Sequence, residues 1–203
     1  MLTESLITIA GVHLISVASP GPDFAVVTRS SIRSGLSSGI ATALGIVTAN
    51  LIYVAAVLGG LSLVVQQSPV LLPVIKYLGA SFLLYLSYKC IQSNGLSDLT
   101  IAPSTVESPA TSYVRGLTTS LLNPKAILYF TCILSQFIQP GTPLSHRTLF
   151  GAVVVAISGF WFLSVAHLIS WSKFRVFFCR ASKWIDRGMA VVFVGFALAM
   201  VFG

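Results

Sequence analysis

The chain has 203 residues, 55% of them hydrophobic and only 8% charged, with a mean hydropathy of +0.91. Soluble domains carry about 25% charged residues, so the composition excludes an ordinary soluble protein and indicates an integral membrane protein. The net charge of +7 would suggest nucleic acid in a soluble chain, but beside membrane spans basic residues mark the cytoplasmic side instead.

Crossing a bilayer as a helix takes about 20 mainly apolar residues. Runs of that kind predict six spans, near residues 4–28, 37–65, 72–91, 114–138, 149–171 and 186–203. The first run has no basic residue ahead of it and continues past Ser16-Val17-Ala18, unlike a cleaved signal peptide. It is interrupted by "SPGPDF", residues 19–24, in which Pro20, Gly21 and Pro22 break the helix beside the carboxylate of Asp23. The second run opens with Gly35, Ser38, Gly39, Ala41, Ala43 and Gly45, small residues suited to close packing of helix on helix. Asn50 and Tyr53 on this run, with His13 and Ser19 on the first, are candidate polar groups for a cavity. For His13 a packed, hydrogen-bonded histidine is an equal alternative to a proton carrier.

After the third run comes "QSNGLSDLTIAPSTVESPATS", whose serine, threonine and proline content predicts a flexible loop. The fourth run carries a second helix breaker, "LLNPKA", in which Asn123 and Pro124 precede Lys125. Beyond the fifth, residues 173–187 place Phe174, Phe177, Phe178, Ala181, Trp184 and Ile185 on one helical face. Arg180, Lys183 and Arg187 fall elsewhere on the wheel, which predicts an amphipathic helix lying in the inner membrane surface. Anionic lipid is sufficient to attract it. Cys90, Cys132 and Cys179 form no CxxC pair and no His/Cys cluster, so no metal site, dithiol centre or cofactor is expected.

With the N-terminus outside, the inner loops and span ends hold Arg29, Arg33, Lys89, Arg115, Lys173, Arg175, Arg180, Lys183 and Arg187, against Lys76 and Arg147 outside. Both termini are therefore expected on the outer, periplasmic side. Asp23 and Lys125 are the two charges well inside spans, and each costs about 2.5–3.5 kcal/mol on insertion scales unless it finds a partner. Counted from Arg29 and Arg115 at 1.5 Å per residue, they lie about 9 Å and about 15 Å deep from the same face. Both follow a helix break, and irregular backbone at membrane depth is tolerated where it is buried in protein or lines a cavity.

The breaks fall on the first span of each half. The chain therefore divides into residues 1–91, a cytoplasmic loop 92–113, and residues 114–203. An all-α protein of six transmembrane helices in a 3+3 inverted repeat, with broken first and fourth helices, is the expected fold. Such repeats are a secondary-transporter signature.

Several segments resemble the LysE/RhtB family of amino-acid exporters, and within it the threonine and homoserine efflux branch: "SPGPDFAVV", "SGLSSGIATALGI", "YLGASFLLYLSYK", "GLTTSLLNPKAILYF" and "KWIDRGMAVVFVGFALAM". The resemblance covers almost the whole chain. It implies export of small amino acids across a bacterial inner membrane, driven by the proton gradient. Pro20, Gly21, Pro22 and Asp23 match the family's first motif, and Asn123, Pro124 and Lys125 its second. At "GIVTAN" the chain lacks a glycine expected near Ala49, which bears on pocket size.

A zwitterionic amino acid would find an acid and a base there, with Asp23 binding its ammonium or carrying the proton. Lys125, or amides freed beside Pro124, would hold its carboxylate. In the empty site Asp23 and Lys125 would pair with each other, and alternating access would expose the site to each side in turn. The expected partners are a small amino-acid substrate and the lipid bilayer, with a homo-oligomer compatible and no nucleic acid. An ion or metal exporter on a related scaffold is the alternative, although one intramembrane carboxylate is few for a metal. No CxxC, HExxH or convergent acid pair points to an enzyme.

Overall fold

The computed structural model describes residues 2–19, 21–61, 71–92, 107–134, 137 and 141–171, and most residues between 181 and 202. Among the described residues every regular element is helical. Pro20, the loop residues 93–106 and most of the amphipathic stretch 173–187 lie outside them.

Helix α1 spans Leu2–Ala18 and α2 spans Pro22–Ala56, the latter widening into a π-helical turn at Val57–Leu61. Within α2, Gly35 has φ 82° and ψ −179°, a conformation that favours glycine. Ser31 and Gly39 would stand about 12 Å apart on a straight helix. Instead a Cβ on Gly39 would overlap the Ser31 side chain, and Phe24 and Val27 share a core with Ala43 and Ile46. The two halves of α2 therefore double back on each other at Gly35. Arg29 and Arg33 stand on the helical turns just before this bend.

Helix α3 covers Leu71–Gln92, α4 Pro109–Leu121, and α5 Pro124–Leu128, which continues as a π-helical turn at Tyr129–Leu134. Helix α6 covers Leu144–Ser170, and the described residues between 181 and 202 form a C-terminal helix. Both α4 and α6 start about five residues before the hydropathy boundaries, because their first turns are polar and prolines set them. Pro109 stands in the first turn of α4 behind Ser108, whose Oγ accepts from Thr111 N at 3.2 Å, a capping arrangement. Pro143 immediately precedes α6.

The stretches Pro22–Gly59 and Leu144–Ser170 are long and apolar enough to cross a bilayer. Ile7, Leu51, Phe160 and Val191 expose large apolar side chains on the outside of the bundle, a surface suited to lipid. Trp171 and Trp184 are also exposed.

Small residues let the second half of α2 approach α4 backbone to backbone. A Cβ on Gly45 would collide with the Tyr113 carbonyl, and one on Gly116 with that of Thr42. The buried face of α4 is Ser112, Gly116 and Ser120, one every four residues. The small-residue run of the sequence thus acts in packing, as expected. Helix α6 covers the other side of α2 and also packs on α1.

The central apolar core has two parts. One gathers Ile9, Val54, Val57, Tyr129, Phe130, Phe150 and Val154; the other gathers Phe24, Val27, Ala43, Ile46, Phe162, Val165 and Ile169. Between them three helices each insert one polar residue at four-residue steps: Ile9, His13, Val17 on α1; Ile46, Asn50, Val54 on α2; Val154, Ser158, Phe162 on α6. Side chains four apart share a helix face, so His13, Asn50 and Ser158 form one polar layer across the bundle. A separate cluster of Ala80, Cys90, Ala190, Phe193 and Ala197 joins α3 to the C-terminal helix, with Ser87 Oγ donating to the Ala190 carbonyl at 3.0 Å.

Candidate functional site

The site forms where α1 and α4 stop. At the first break Ser19 N still donates to the Ile15 carbonyl at 3.1 Å, after which the chain restarts from Gly21, whose extended backbone (φ −177°) caps α2. Pro22 occupies the first turn, where its missing N–H costs nothing and its ring pre-sets φ. Asp23 stands beside it, at the helix end that favours negative charge.

At the second break Asn123 caps α5, its Oδ1 accepting from Lys125 N at 3.0 Å, with Pro124 next in the helix. The Tyr53 hydroxyl donates to the Leu121 carbonyl at 2.8 Å, satisfying one of the acceptors left open where α4 ends.

The two breaks meet. Lys125 Nζ passes Gly21, where a Cβ would lie 3.7 Å away, and donates to the Ser19 carbonyl at 3.0 Å. This places a cation on the C-terminal end of α1, the end that attracts positive charge. Ser120 Oγ, from the last turn of α4, donates to Asp23 Oδ2 at 3.1 Å. Asp23 Oδ1 is buried and has no hydrogen-bond partner among the described residues, although the Asn123 side chain is a near neighbour of the carboxylate. The direct Asp23–Lys125 pair expected from the sequence is not what holds these charges. Each is met by the other break's helix end, Lys125 by a carbonyl and Asp23 by a hydroxyl.

Asp23 and Lys125 line one cavity of about 30 Å³, together with His13, Ser19, Gly21, Asn50 and Asn123. That volume is about the space of one water molecule in the liquid. Ser158 Oγ accepts from Asn50 Nδ2 at 2.9 Å and lies 2.7 Å from His13 Nε2. The His13 ring packs against Tyr129, with centroids 4.8 Å apart, and near Phe130 at 6.3 Å. From the C-terminal helix the Phe193 ring faces Lys125 Nζ at 5.9 Å, within the range of a cation–π contact.

Of the candidate residues, the structure brings His13, Ser19, Gly21, Asp23, Asn50, Asn123 and Lys125 into the cavity wall. Tyr53 is not among them: it caps α4 and stacks on Phe130, with ring centroids 5.0 Å apart. Pro22 faces a different hollow, and Pro124 contributes through the backbone start of α5. The amide of Lys125 is occupied by Asn123, which leaves its ammonium as the donor able to meet a ligand. The sequence reading missed Ser120, Ser158, Tyr129, Phe130 and Phe162. Tyr129 follows Lys125 by one turn and could have been found by that spacing. Ser158 sits in an apolar run and acquires its role through its partners.

Taken together, a buried carboxylate oxygen that accepts no hydrogen bond among the described residues, an ammonium held by a backbone carbonyl, and an aromatic wall present complementary groups to a small zwitterion. The chain is 28% identical over 198 residues to the threonine efflux protein of Escherichia coli K12, covering 96% of both chains. It is 30% identical over 190 residues to the leucine efflux protein of Salmonella choleraesuis, covering 89% of this chain and 87% of the other. No solved structure matches the chain. Residues 14–203 match the family described as LysE type translocator, and the chain, a helical membrane protein, belongs to that family.

Proposed function

We propose that the protein is a secondary active exporter of small neutral amino acids, threonine-like or leucine-like, in the inner membrane. It has six spans arranged as two inverted halves, termini facing out, and works by proton-coupled alternating access. The observation that carries this reading is the meeting of Asp23, whose Oδ1 has no hydrogen-bond partner among the described residues, and Lys125 in one cavity built from two helix breaks.

The ammonium of the substrate binds Asp23 Oδ1, and its carboxylate displaces the Ser19 carbonyl from Lys125 Nζ. Binding thereby exchanges an internal contact for a ligand contact, so neither charge is left unpaired. The exchange also releases the end of α1, which couples occupancy to the angle between α1 and α2. A cavity of about 30 Å³ is several-fold smaller than an amino acid, so the helices move apart to admit substrate. Closure on one side and opening on the other is alternating access of two states biased by ligand. The presence of a lysine beside Asp23, with no second carboxylate among the described residues of the cavity wall, makes a cation a poor cargo and counts against the metal-exporter alternative.

The test is transport of labelled threonine, homoserine and leucine in everted vesicles, with and without an uncoupler. Accumulation of at least one of them that collapses with the uncoupler is expected. No transport of any neutral amino acid above control vesicles would overturn the proposal.

A further inference from the structure

A second hollow, of about 440 Å³, lies between the first half of α2 and α4, with Glu107 from just ahead of α4 in its wall. Small-ligand pockets run from about 300 to 1,000 Å³, so this one, unlike the central cavity, already has room for an amino acid. Arg29 and Arg33, one turn apart on α2, and Arg115 on α4 line it, and Glu107 is the one carboxylate in its wall among the described residues. Glu107 pairs with Arg115. It is also pinned to the bend of α2, its N–H donating to Ser34 Oγ at 3.1 Å and its carbonyl accepting from Ser38 Oγ at 3.2 Å. The hollow thus holds guanidinium charge in excess. Ser30 also lines it; this residue is only 5% exposed, and its hydroxyl has no hydrogen-bond partner among the described residues.

We propose that this hollow is an outlying site that captures the carboxylate of the amino acid before it reaches the central cavity. Guanidinium is the side chain best shaped to hold a carboxylate, and Glu107 meets the ammonium by exchanging its pairing with Arg115. The two sites share a partition. Pro22 and Thr119 face the hollow, while their neighbours Asp23 and Ser120 are joined by the 3.1 Å bond beside the central cavity. That bond is one contact of the wall between them. The positive-inside bias puts the hollow on the cytoplasmic side, where an exported solute is collected.

This rests on the exporter reading for the direction of flow, and the experiment separates the two. Uptake of labelled threonine and leucine is measured in everted vesicles at low and high salt for the wild type and for Arg29→Gln with Arg33→Gln. Two exposed charge contacts are lost, so KM is expected to rise about tenfold. Vmax should stay within about twofold, and the rise of KM with salt seen in the wild type should flatten in the variant. An unchanged KM and salt response overturns the site.

Binding is then measured on purified Asp23→Asn protein in nanodiscs of zwitterionic lipid, where the central site is disabled. Residual threonine or leucine binding that is lost with Arg33→Gln, and that 1-amino-2-propanol, lacking the carboxylate, does not compete for, supports the hollow whether or not export occurs. An arginine effect confined to vesicles containing anionic lipid, with no amino-acid binding in zwitterionic nanodiscs, identifies a lipid headgroup as occupant and overturns the proposal.

Discussion

The two helix breaks are alike in sequence, each a proline beside a charge, and unlike in structure. The break at residues 122–123 takes nothing from the first break: Asn123 caps the amide of Lys125, and Tyr53 of α2 meets the Leu121 carbonyl. The break at residues 19–21 borrows. Its carbonyl at Ser19 takes its donor from Lys125, and its carboxylate takes a hydrogen bond from Ser120. The second break is therefore a rigid pedestal, and the first is the part whose contacts can be exchanged for a ligand's.

Substitutions can break or sharpen this contrast, read as unfolding of purified protein in detergent. Lys125→Met strips the borrowed donor from a buried carbonyl and leaves Asp23 without a nearby cation, so it should destabilise most, by about 3 kcal/mol. Ser120→Ala removes the hydroxyl on Asp23 Oδ2 and should cost about 2 kcal/mol, with export falling roughly tenfold as Asp23 loses the hydrogen bond that orients it. Asn123→Ala loses a helix cap worth about 1 kcal/mol, and Asn123→Asp should restore most of it. Tyr53→Phe removes one hydroxyl from the pedestal and should cost about 0.5–1.5 kcal/mol, leaving export within about threefold of wild type. If Tyr53→Phe proved more damaging to export than Ser120→Ala, the assignment of rigid and exchangeable breaks would be reversed.

The breaks are legible in the sequence because proline and glycine act locally, and Asp23 and Lys125 are legible because charge inside an apolar run is costly wherever it occurs. The doubling of α2 at Gly35 is visible there only as one glycine among several; its positive φ is a property of the folded backbone. The starts of α4 at Pro109 and of α6 at Leu144 are displaced from the hydropathy boundaries by polar first turns. Hydropathy counts apolar residues and so passes over a capped or proline-led polar turn. The polar layer of His13, Asn50 and Ser158 is legible in part: His13 and Asn50 are conspicuous in apolar runs, whereas a lone serine is ordinary in a membrane helix. What the sequence does not supply is the crosswise pairing. It predicts Asp23 on Lys125, whereas the fold gives each a neutral partner from the opposite break, because each charge reaches the other break's helix end first.

The most direct measurement is export of labelled threonine and leucine by Asp23→Asn and Lys125→Met at equal membrane abundance. Removing either charge leaves one end of the zwitterion unmatched in the cavity, so both variants should transport at about one hundredth of the wild-type rate or less. Near wild-type transport by both would contradict the assignment of Asp23 and Lys125 as the substrate site.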